Sequence, residues 1–141
     1  MIEEIHGTLE FYEKAESVRW VNTVSSEIVI RTDPYRLRIG LNNLISNAVK
    51  YSDLSKTDPF LKISADTVGS KLKIAIEDNG IGIPTDKLPN LFRMFYRATT
   101  KESGSGLGLY IAKDAIEKLK GSVEVHSVYD VGTTFTISLP I

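Results

Sequence analysis

The chain has 141 residues, a length that suits one domain with a hydrophobic core of its own. Its 17 basic and 18 acidic residues leave a formal charge of −1, which argues against nucleic acid or an anionic membrane surface as the main partner. There is no cysteine, so disulfides, thiol catalysis and cysteine-held metals are excluded. The acidic start differs from a signal peptide, and no apolar run approaches the ~20 residues that span a bilayer. We therefore expect a cytoplasmic domain, whether or not a longer parent protein is anchored in the inner membrane.

The first half of the chain predicts two helices separated by short strands. Apolar residues recur at three-to-four spacing over the first ~16 residues, as in an amphipathic helix. Segments 18–24 and 27–32 have β character. Asp33 and Pro34 are typical of an N-cap and a first helical position, and they predict a second helix over about 34–51.

The second half begins with a predicted β-hairpin, in which apolar and polar residues alternate at 60–65 and at 71–77. Segment 78–105 has little periodicity, which indicates a functional loop. Helical spacing then returns from Gly108 to Leu119.

The chain closes with two predicted strands, at 122–128 and 134–140. The order αββαββ, loop, αββ predicts an α+β fold. We expect a two-layer α/β sandwich, with three helices on one face of a mixed five- to six-stranded sheet.

The second predicted helix carries a polar stripe on a different side from its leucines. Asparagine is a poor helix former, but its oxygen suits a hard cation such as Mg²⁺, and lysine suits phosphate. An ordinary solvated face is the alternative interpretation. The stripe consists of Asn43, Asn47, Lys50 and Tyr51.

The segment 78–84, Asp-Asn-Gly-Ile-Gly-Ile-Pro, directly follows a predicted strand. Such a segment is common in plain turns. It also suits a ligand site, because the Asp78 carboxylate can accept a hydrogen bond from an amine and glycines allow a close approach to the backbone. The residues alone leave both interpretations open.

The segment 104–109, Gly-Ser-Gly-Leu-Gly-Leu, leads into the third predicted helix. Glycine-rich backbone at a helix N-terminus can cradle a phosphate with its N–H groups. Its GxGxG spacing differs from the dinucleotide fingerprint, and the chain has no GxxxxGKS/T, which excludes a P-loop NTPase.

The segment 91–97, Leu-Phe-Arg-Met-Phe-Tyr-Arg, lies between these two glycine-rich segments. Phe92 and Phe95 can simply pin a short helix to the core. Arg97 is suited to stabilise charge on a transferred phosphoryl group if a phosphate site lies beside it.

These four features occur in the order of the N box, first glycine box, F box and second glycine box of the histidine-kinase catalytic domain. The chain resembles that domain from about residue 27 to its end. The domain belongs to a wider family shared with DNA gyrase, heat-shock chaperone and mismatch-repair ATPases. The resemblance implies a single domain over 1–141 with the Bergerat ATP-binding fold and a flexible lid at about 85–105.

The resemblance also implies ATP and Mg²⁺ as cofactors. By similarity, Asn47 coordinates the Mg²⁺ that bridges the ATP phosphates, Asn43 assists, and Lys50 contacts the phosphates. Asp78 accepts the exocyclic amine of adenine, which selects adenine over guanine, and Tyr51 packs against the base.

The resemblance also implies that Phe92 anchors the lid and that Arg97 reaches the γ-phosphate. The implied catalytic residues are Asn43, Lys50 and Arg97. The implied nucleotide-binding residues are Asn43, Asn47, Lys50, Tyr51, Asp78, Gly80, Gly82, Ile83, Phe92, Tyr96, Arg97, Gly104, Ser105, Gly106, Leu107, Gly108 and Leu109.

One residue position distinguishes ATP hydrolysis from phosphoryl transfer to a protein within the wider family. Its ATPases carry a glutamate four residues before the Mg-binding asparagine, where the carboxylate activates water. That position holds Asn43 here, which is no general base at neutral pH, so we expect slow hydrolysis and transfer to a protein acceptor. Anti-sigma-factor kinases are a nearby alternative, but the Tyr-Arg and Gly-Leu-Gly-Leu details favour sensor kinases.

The phosphoacceptor histidine of a sensor kinase has an acidic neighbour and a following Arg-Thr-Pro. His6 lacks this pattern, and His126 lies in a predicted strand. We therefore expect a monomeric domain that serves a separate phosphoacceptor histidine domain, of the same parent or of a dimer partner, with a response regulator downstream and no contact with nucleic acid or membrane. A nucleotide-binding pseudokinase or interaction module and an ATP-driven clamp are the alternatives.

Overall fold

The structure is a computed structural model that describes residues 1–9, 12–98 and 106–141. Within these ranges it has three α-helices, five strands and two short 3-10 helices. The helices are Ile2–Thr8 (α1), Pro34–Lys50 (α2) and Gly108–Glu117 (α3). The strands are Arg19–Asn22 (β1), Phe60–Val68 (β2), Lys71–Asp78 (β3), Ser122–Val128 (β4) and Gly132–Pro140 (β5). The 3-10 helices are Ala15–Ser17 and Thr85–Asn90.

The five strands form one mixed sheet with the order β1-β2-β3-β5-β4. Strand β1 pairs with β2 in parallel, and the other pairs are antiparallel. This confirms the predicted α+β class and mixed sheet. The register of β3 on β5 places Asp78 opposite Thr133, so the end of β3 meets the start of β5.

A hydrophobic core lies between the sheet and the helices. Alternate side chains of the strands are buried on one side, as the period of two requires, and the helices cover them. The buried strand residues include Leu61, Ile63, Leu72, Ile74, Ile76, Phe135, Ile137 and Leu139. The buried helix residues include Leu37, Leu41, Leu44, Ile45, Ala48, Val49, Ala112 and Ile116.

Helix α2 begins where the sequence predicts. The Asp33 side chain accepts hydrogen bonds from the backbone N–H groups of Tyr35 (2.9 Å) and Arg36 (3.4 Å), and Pro34 occupies the first turn. Helix α2 packs closely on α3 at Gly40. A Cβ at that position would lie 2.7 Å from Cδ1 of Ile116, so only glycine fits here without rearrangement.

Two predicted elements differ from the structure. Helix α1 ends at Thr8, whose hydroxyl donates to the carbonyl oxygen of Ile5 (2.7 Å), and is about half as long as expected. The strand predicted at 27–32 is wrong. Ile28 and Ile30 pack against the core while Val29 is 87% exposed, so the alternation reflects packing of an unpaired segment.

No helix within the described ranges is both long enough and apolar enough to cross a membrane.

Candidate functional site

A cavity of about 870 Å³ opens between α2, the segment after β3 and the start of α3. Its volume lies in the range of small-molecule and cofactor sites. All four sequence features contribute to its wall. The predicted site residues that line it are Asn43, Asn47, Lys50, Tyr51, Asp78, Gly82, Ile83, Tyr96, Arg97, Gly106, Leu107, Gly108 and Leu109.

Two of the predicted site residues that the structure describes, Gly80 and Phe92, are not on this wall. Gly104 and Ser105 lie outside the described residues. Gly80 lies behind the wall, against the backbone of Tyr51. Phe92 packs edge-on against the core residue Phe135, with ring centroids 6.1 Å apart. That contact fits the anchoring role that the resemblance implies for Phe92.

Helix α2 presents its polar stripe to the cavity because its apolar stripe is held in the core. The side-chain N–H of Asn43 donates to the carbonyl oxygen of Ile39 (2.8 Å). Its Oδ1 is directed towards α3, where a Cβ on Gly108 would lie 3.4 Å away. Asn43, Asn47 and Lys50 are half-buried, as suits residues on a cavity wall.

Asp78 is a buried acid at the end of β3, with 8% of its surface exposed. Burial raises the pKa of Asp78 to about 6, although hydrogen bonds from the backbone of Gly80 and Thr133 and the charge of Lys56 act in the opposite direction. The N–H of Gly80 donates to Oδ1 at 2.8 Å. The carboxylate is therefore largely ionised at neutral pH and can accept a further hydrogen bond from a ligand.

The turn after Asp78 packs against the turn between β4 and β5 and is hydrogen-bonded to residues beside it. Gly82 has a positive φ of 69°, and a Cβ there would lie 2.2 Å from the carbonyl oxygen of Val128. The N–H of Ile83 donates to Oγ of Ser127 (2.8 Å), which in turn donates to the carbonyl oxygen of Gly132 (3.0 Å). The acidic end of the cavity is thus supported by a hairpin that is distant in the sequence.

The N-terminus of α3 forms part of the opposite wall. Leu107 at its N-cap provides no side-chain cap, in contrast to Asp33 on α2. The first-turn N–H groups of a helix have no carbonyl partners on that helix, so an anion is well placed to accept from them. Gly106 has a positive φ of 78° and packs on the backbone of Phe95, whose N–H donates to the Gly106 carbonyl oxygen (3.0 Å).

These residues fit a magnesium nucleotide. The amide oxygens on α2 are hard donors beside a helix N-terminus, and Mg²⁺ is usually held by few protein ligands together with substrate phosphates. Asn47 and Asn43 would hold the Mg²⁺ ion, and the N–H groups at the start of α3 would hold the phosphates. Asp78 would accept a hydrogen bond from an amine of the base.

Several residues of the site have no clear signal in the sequence. Thr133 reaches the cavity only through the register of β3 on β5. Lys87 also lines the cavity, and its Nζ donates to the carbonyl oxygen of Ala98 (2.8 Å). The remaining wall residues are Tyr12, Ser46, Asp53, Ile81, Pro84, Leu91, Ala98, Ile111, Tyr129 and Asp130.

Comparison with known proteins agrees with this geometry. Residues 32–141 match the family model of the histidine kinase-, DNA gyrase B-, and HSP90-like ATPases. The chain is 37% identical over 135 residues to the autoinducer 2 sensor kinase/phosphatase LuxQ of Vibrio vulnificus (strain YJ016). That match covers 92% of this chain and 16% of LuxQ. It is 36% identical over 131 residues to the sensor protein kinase WalK of Staphylococcus haemolyticus (strain JCSC1435), covering 89% of this chain and 21% of WalK.

Among solved structures, the mycobacterial sensor histidine kinase MprB superposes with a TM-score of 0.78 at 27% identity, covering 99% of this chain and 93% of that chain. The chain therefore belongs to the histidine kinase-, DNA gyrase B-, and HSP90-like ATPase family, as a catalytic domain of the sensor histidine kinase kind.

Proposed function

We propose that this domain binds Mg-ATP in the cavity and donates the γ-phosphoryl group to a histidine on a separate phosphoacceptor domain, in two-component signal transduction. The observation that carries the proposal is the polarity of one cavity. The buried carboxylate of Asp78 lies near Tyr51, which follows the last residue of α2, whereas Asn43, earlier on α2, faces the start of α3.

The buried end is suited to adenine. The Asp78 carboxylate can accept a hydrogen bond from the exocyclic amine, whereas guanine presents a carbonyl oxygen there and would repel it. Tyr51, the C-cap residue of α2, also lines the cavity, and its ring can pack on the base. Discrimination between the purines follows from this one pairing.

The other end is suited to the triphosphate. Asn47 would hold the Mg²⁺ ion with assistance from Asn43, while Lys50 and Arg97 would contact phosphate oxygens. When bound, the magnesium ion neutralises charge on the phosphates during transfer. The protein itself would orient the phosphates with the N–H groups at the start of α3. It would also hold the Arg97 side chain in the cavity wall.

The acceptor of the phosphoryl group is proposed to lie outside this chain. His6 stacks on Trp20 with ring centroids 4.1 Å apart, and His126 lies on β4 opposite Thr134. Neither histidine lines the cavity. The domain spans 16% of LuxQ and 21% of WalK, which leaves room in such proteins for the acceptor and the sensing segments.

The test is transfer of label from γ-labelled ATP to a cognate histidine-bearing domain supplied in trans. We expect acid-labile label on that domain and none on this chain, and a His6→Gln variant should transfer like the wild type. Asp78→Asn should abolish transfer. If a folded sample binds ADP yet transfers nothing, the domain is a nucleotide-binding module without kinase activity.

A further inference from the structure

Lys56 lies in the segment between α2 and β2 and makes three hydrogen bonds, all to backbone carbonyl oxygens. Its Nζ donates to Gly80 at 2.8 Å, to Asp130 at 2.7 Å and to Val131 at 3.2 Å. Gly80 belongs to the turn that follows Asp78, and the other two acceptors belong to the turn between β4 and β5. One half-buried ammonium group thus joins two turns that are about 50 residues apart in sequence.

The geometry of this contact is suited to lysine. An ammonium group has three N–H donors and no acceptor, and each donor here has a carbonyl partner. Carbonyl oxygens do not titrate over the physiological range, so the three bonds persist as pH changes, unlike a bond to a carboxylate. Hydrogen bonds from a charged donor are also stronger than neutral ones.

The same turn is what orients the acid at the buried end of the cavity. The N–H of Gly80 donates to Oδ1 of Asp78 (2.8 Å), while the carbonyl oxygen of Gly80 accepts from Lys56. Two further backbone bonds hold the turn, from Ile81 to Tyr51 (3.1 Å) and from Asp130 to Ile81 (2.8 Å). Lys56 adds a side-chain bond to this set, as Ser127 does at Ile83, and it acts on Asp78 through the backbone of Gly80.

We propose that Lys56 is a positioning residue, which holds the turn after Asp78 against the β4–β5 turn and thereby fixes the carboxylate that receives the adenine amine. This inference rests on the proposed function. Lys56 is not on the cavity wall, so its effect on a nucleotide is exerted through the turn.

Charge supports the same role. The ammonium group of Lys56 favours the ionised form of Asp78 and so lowers the pKa of that acid, whereas the neighbouring Glu77 raises it. The other acidic and basic side chains at the cavity are Lys50 on α2, Asp53 in the following segment, Lys87 and Arg97 after β3, and Asp130 in the β4–β5 turn.

The test compares Lys56→Met with Lys73→Met, a matched control that removes an exposed lysine from β3. In the ligand-free protein, carboxyl-carbon NMR should show the pKa of Asp78 rising above its wild-type value in K56M and staying unchanged in K73M. The dissociation constant of ADP at pH 7.5 should rise roughly tenfold in K56M, as expected for the loss of charge-assisted hydrogen bonds.

The outcomes separate the two proposals. If wild-type protein binds ADP and K56M matches K73M in both measurements, the positioning role is overturned and the nucleotide site stands. If wild-type protein binds no ADP, the proposed function is overturned; Lys56 still holds the turn if the pKa of Asp78 then changes both in K56M and in Lys56→Arg, which keeps the charge. Should K56M fail to fold, Lys56→Arg keeps the charge but not the three-carbonyl geometry. ADP affinity in K56R equal to that of wild type would then overturn the inference, and an intermediate affinity would support it.

Discussion

The backbone N–H of Gly80 donates a 2.8 Å hydrogen bond to Oδ1 of Asp78 and closes the turn that presents this carboxylate to the cavity. The fit is tight, because a Cβ on Gly80 would lie 2.9 Å from the same Oδ1 and 2.4 Å from the carbonyl oxygen of Tyr51. The first glycine of the turn is therefore required by close packing rather than by a positive φ angle.

The first prediction concerns the substitution Gly80→Ala. The added methyl group must displace the backbone of Tyr51, so we expect the free energy of unfolding to fall by about 1–3 kcal/mol, as for an overpacked site, and nucleotide affinity to fall with it. Gly7→Ala is the matched control, since a Cβ there meets no atom within 4 Å and alanine favours the helix. Urea unfolding of both variants measures the effect. Equal stability of G80A and G7A would contradict the packing argument.

The second prediction concerns Asp78→Asn, an isosteric change that removes the buried charge. The folded pKa of about 6 lies above the ordinary 3.8, so the folded state holds its proton more tightly than the unfolded chain does. The contribution of protonated Asp78 to the free energy of unfolding is fully present below pH 4 and is lost as pH rises through 6. At pH 8 the variant should therefore be more stable than wild type by about 3 kcal/mol, because each pH unit between the unfolded and the folded pKa corresponds to about 1.4 kcal/mol.

Chemical unfolding at pH 4 and pH 8 tests this sign directly. The stability difference between D78N and wild type should be small at the lower pH and large at the higher one. A constant difference across this range would show that Asp78 does not titrate abnormally. The same variant should lose nucleotide binding, so that stability is gained where function is lost.

The third prediction separates the metal from the nucleotide. Asn47→Ala should reduce ADP affinity in the presence of Mg²⁺ to the value measured with a chelator, because the side-chain oxygen that holds the ion is gone. Ser46→Ala is a suitable control, since Ser46 also lines the cavity but its hydroxyl donates to the backbone of Asn43 (3.2 Å). Calorimetry with and without Mg²⁺ gives both affinities. Retention of the full Mg²⁺ effect in N47A would assign the ion to other ligands.

The fourth prediction concerns the contact between α2 and α3. Gly40→Ala should destabilise the fold by about 1–3 kcal/mol, because its Cβ would lie 2.7 Å from Cδ1 and 2.9 Å from Cγ1 of Ile116. Ile116→Val removes Cδ1 and should recover part of that loss in the double variant. A double-mutant cycle gives the coupling energy. Strictly additive effects would mean that the two side chains do not compete for one space.

The local pattern of the sequence is enough to predict most of the fold. The prediction for helix α2 agrees to within one residue at its C-terminal end, because Asp33 and Pro34 define its start and its leucines recur every three to four positions. Strict alternation predicts the hairpin of β2 and β3. The strand expected at 27–32 is wrong because alternation reports which side chains are buried, and an unpaired segment that packs on the core gives the same pattern as a strand in a sheet.

The sequence predicts the site residues only where they occur close together in a recognisable motif. Thirteen predicted residues, from four separate segments, line one cavity. Thr133 and Lys56 have no such signal. The first depends on the register between β3 and β5, and the second on carbonyl oxygens that every residue carries, so residue type does not identify the partner in either contact.

The most direct measurement of the central claim is a calorimetric titration of the wild-type domain with ATP, ADP and GTP, each with and without Mg²⁺, alongside Asp78→Asn. We predict binding of both adenine nucleotides, tighter with Mg²⁺, no measurable binding of GTP, and loss of adenine binding in D78N. Binding of GTP as tight as that of ATP, or unchanged ADP binding in D78N, would contradict the account of Asp78 as the residue that selects adenine.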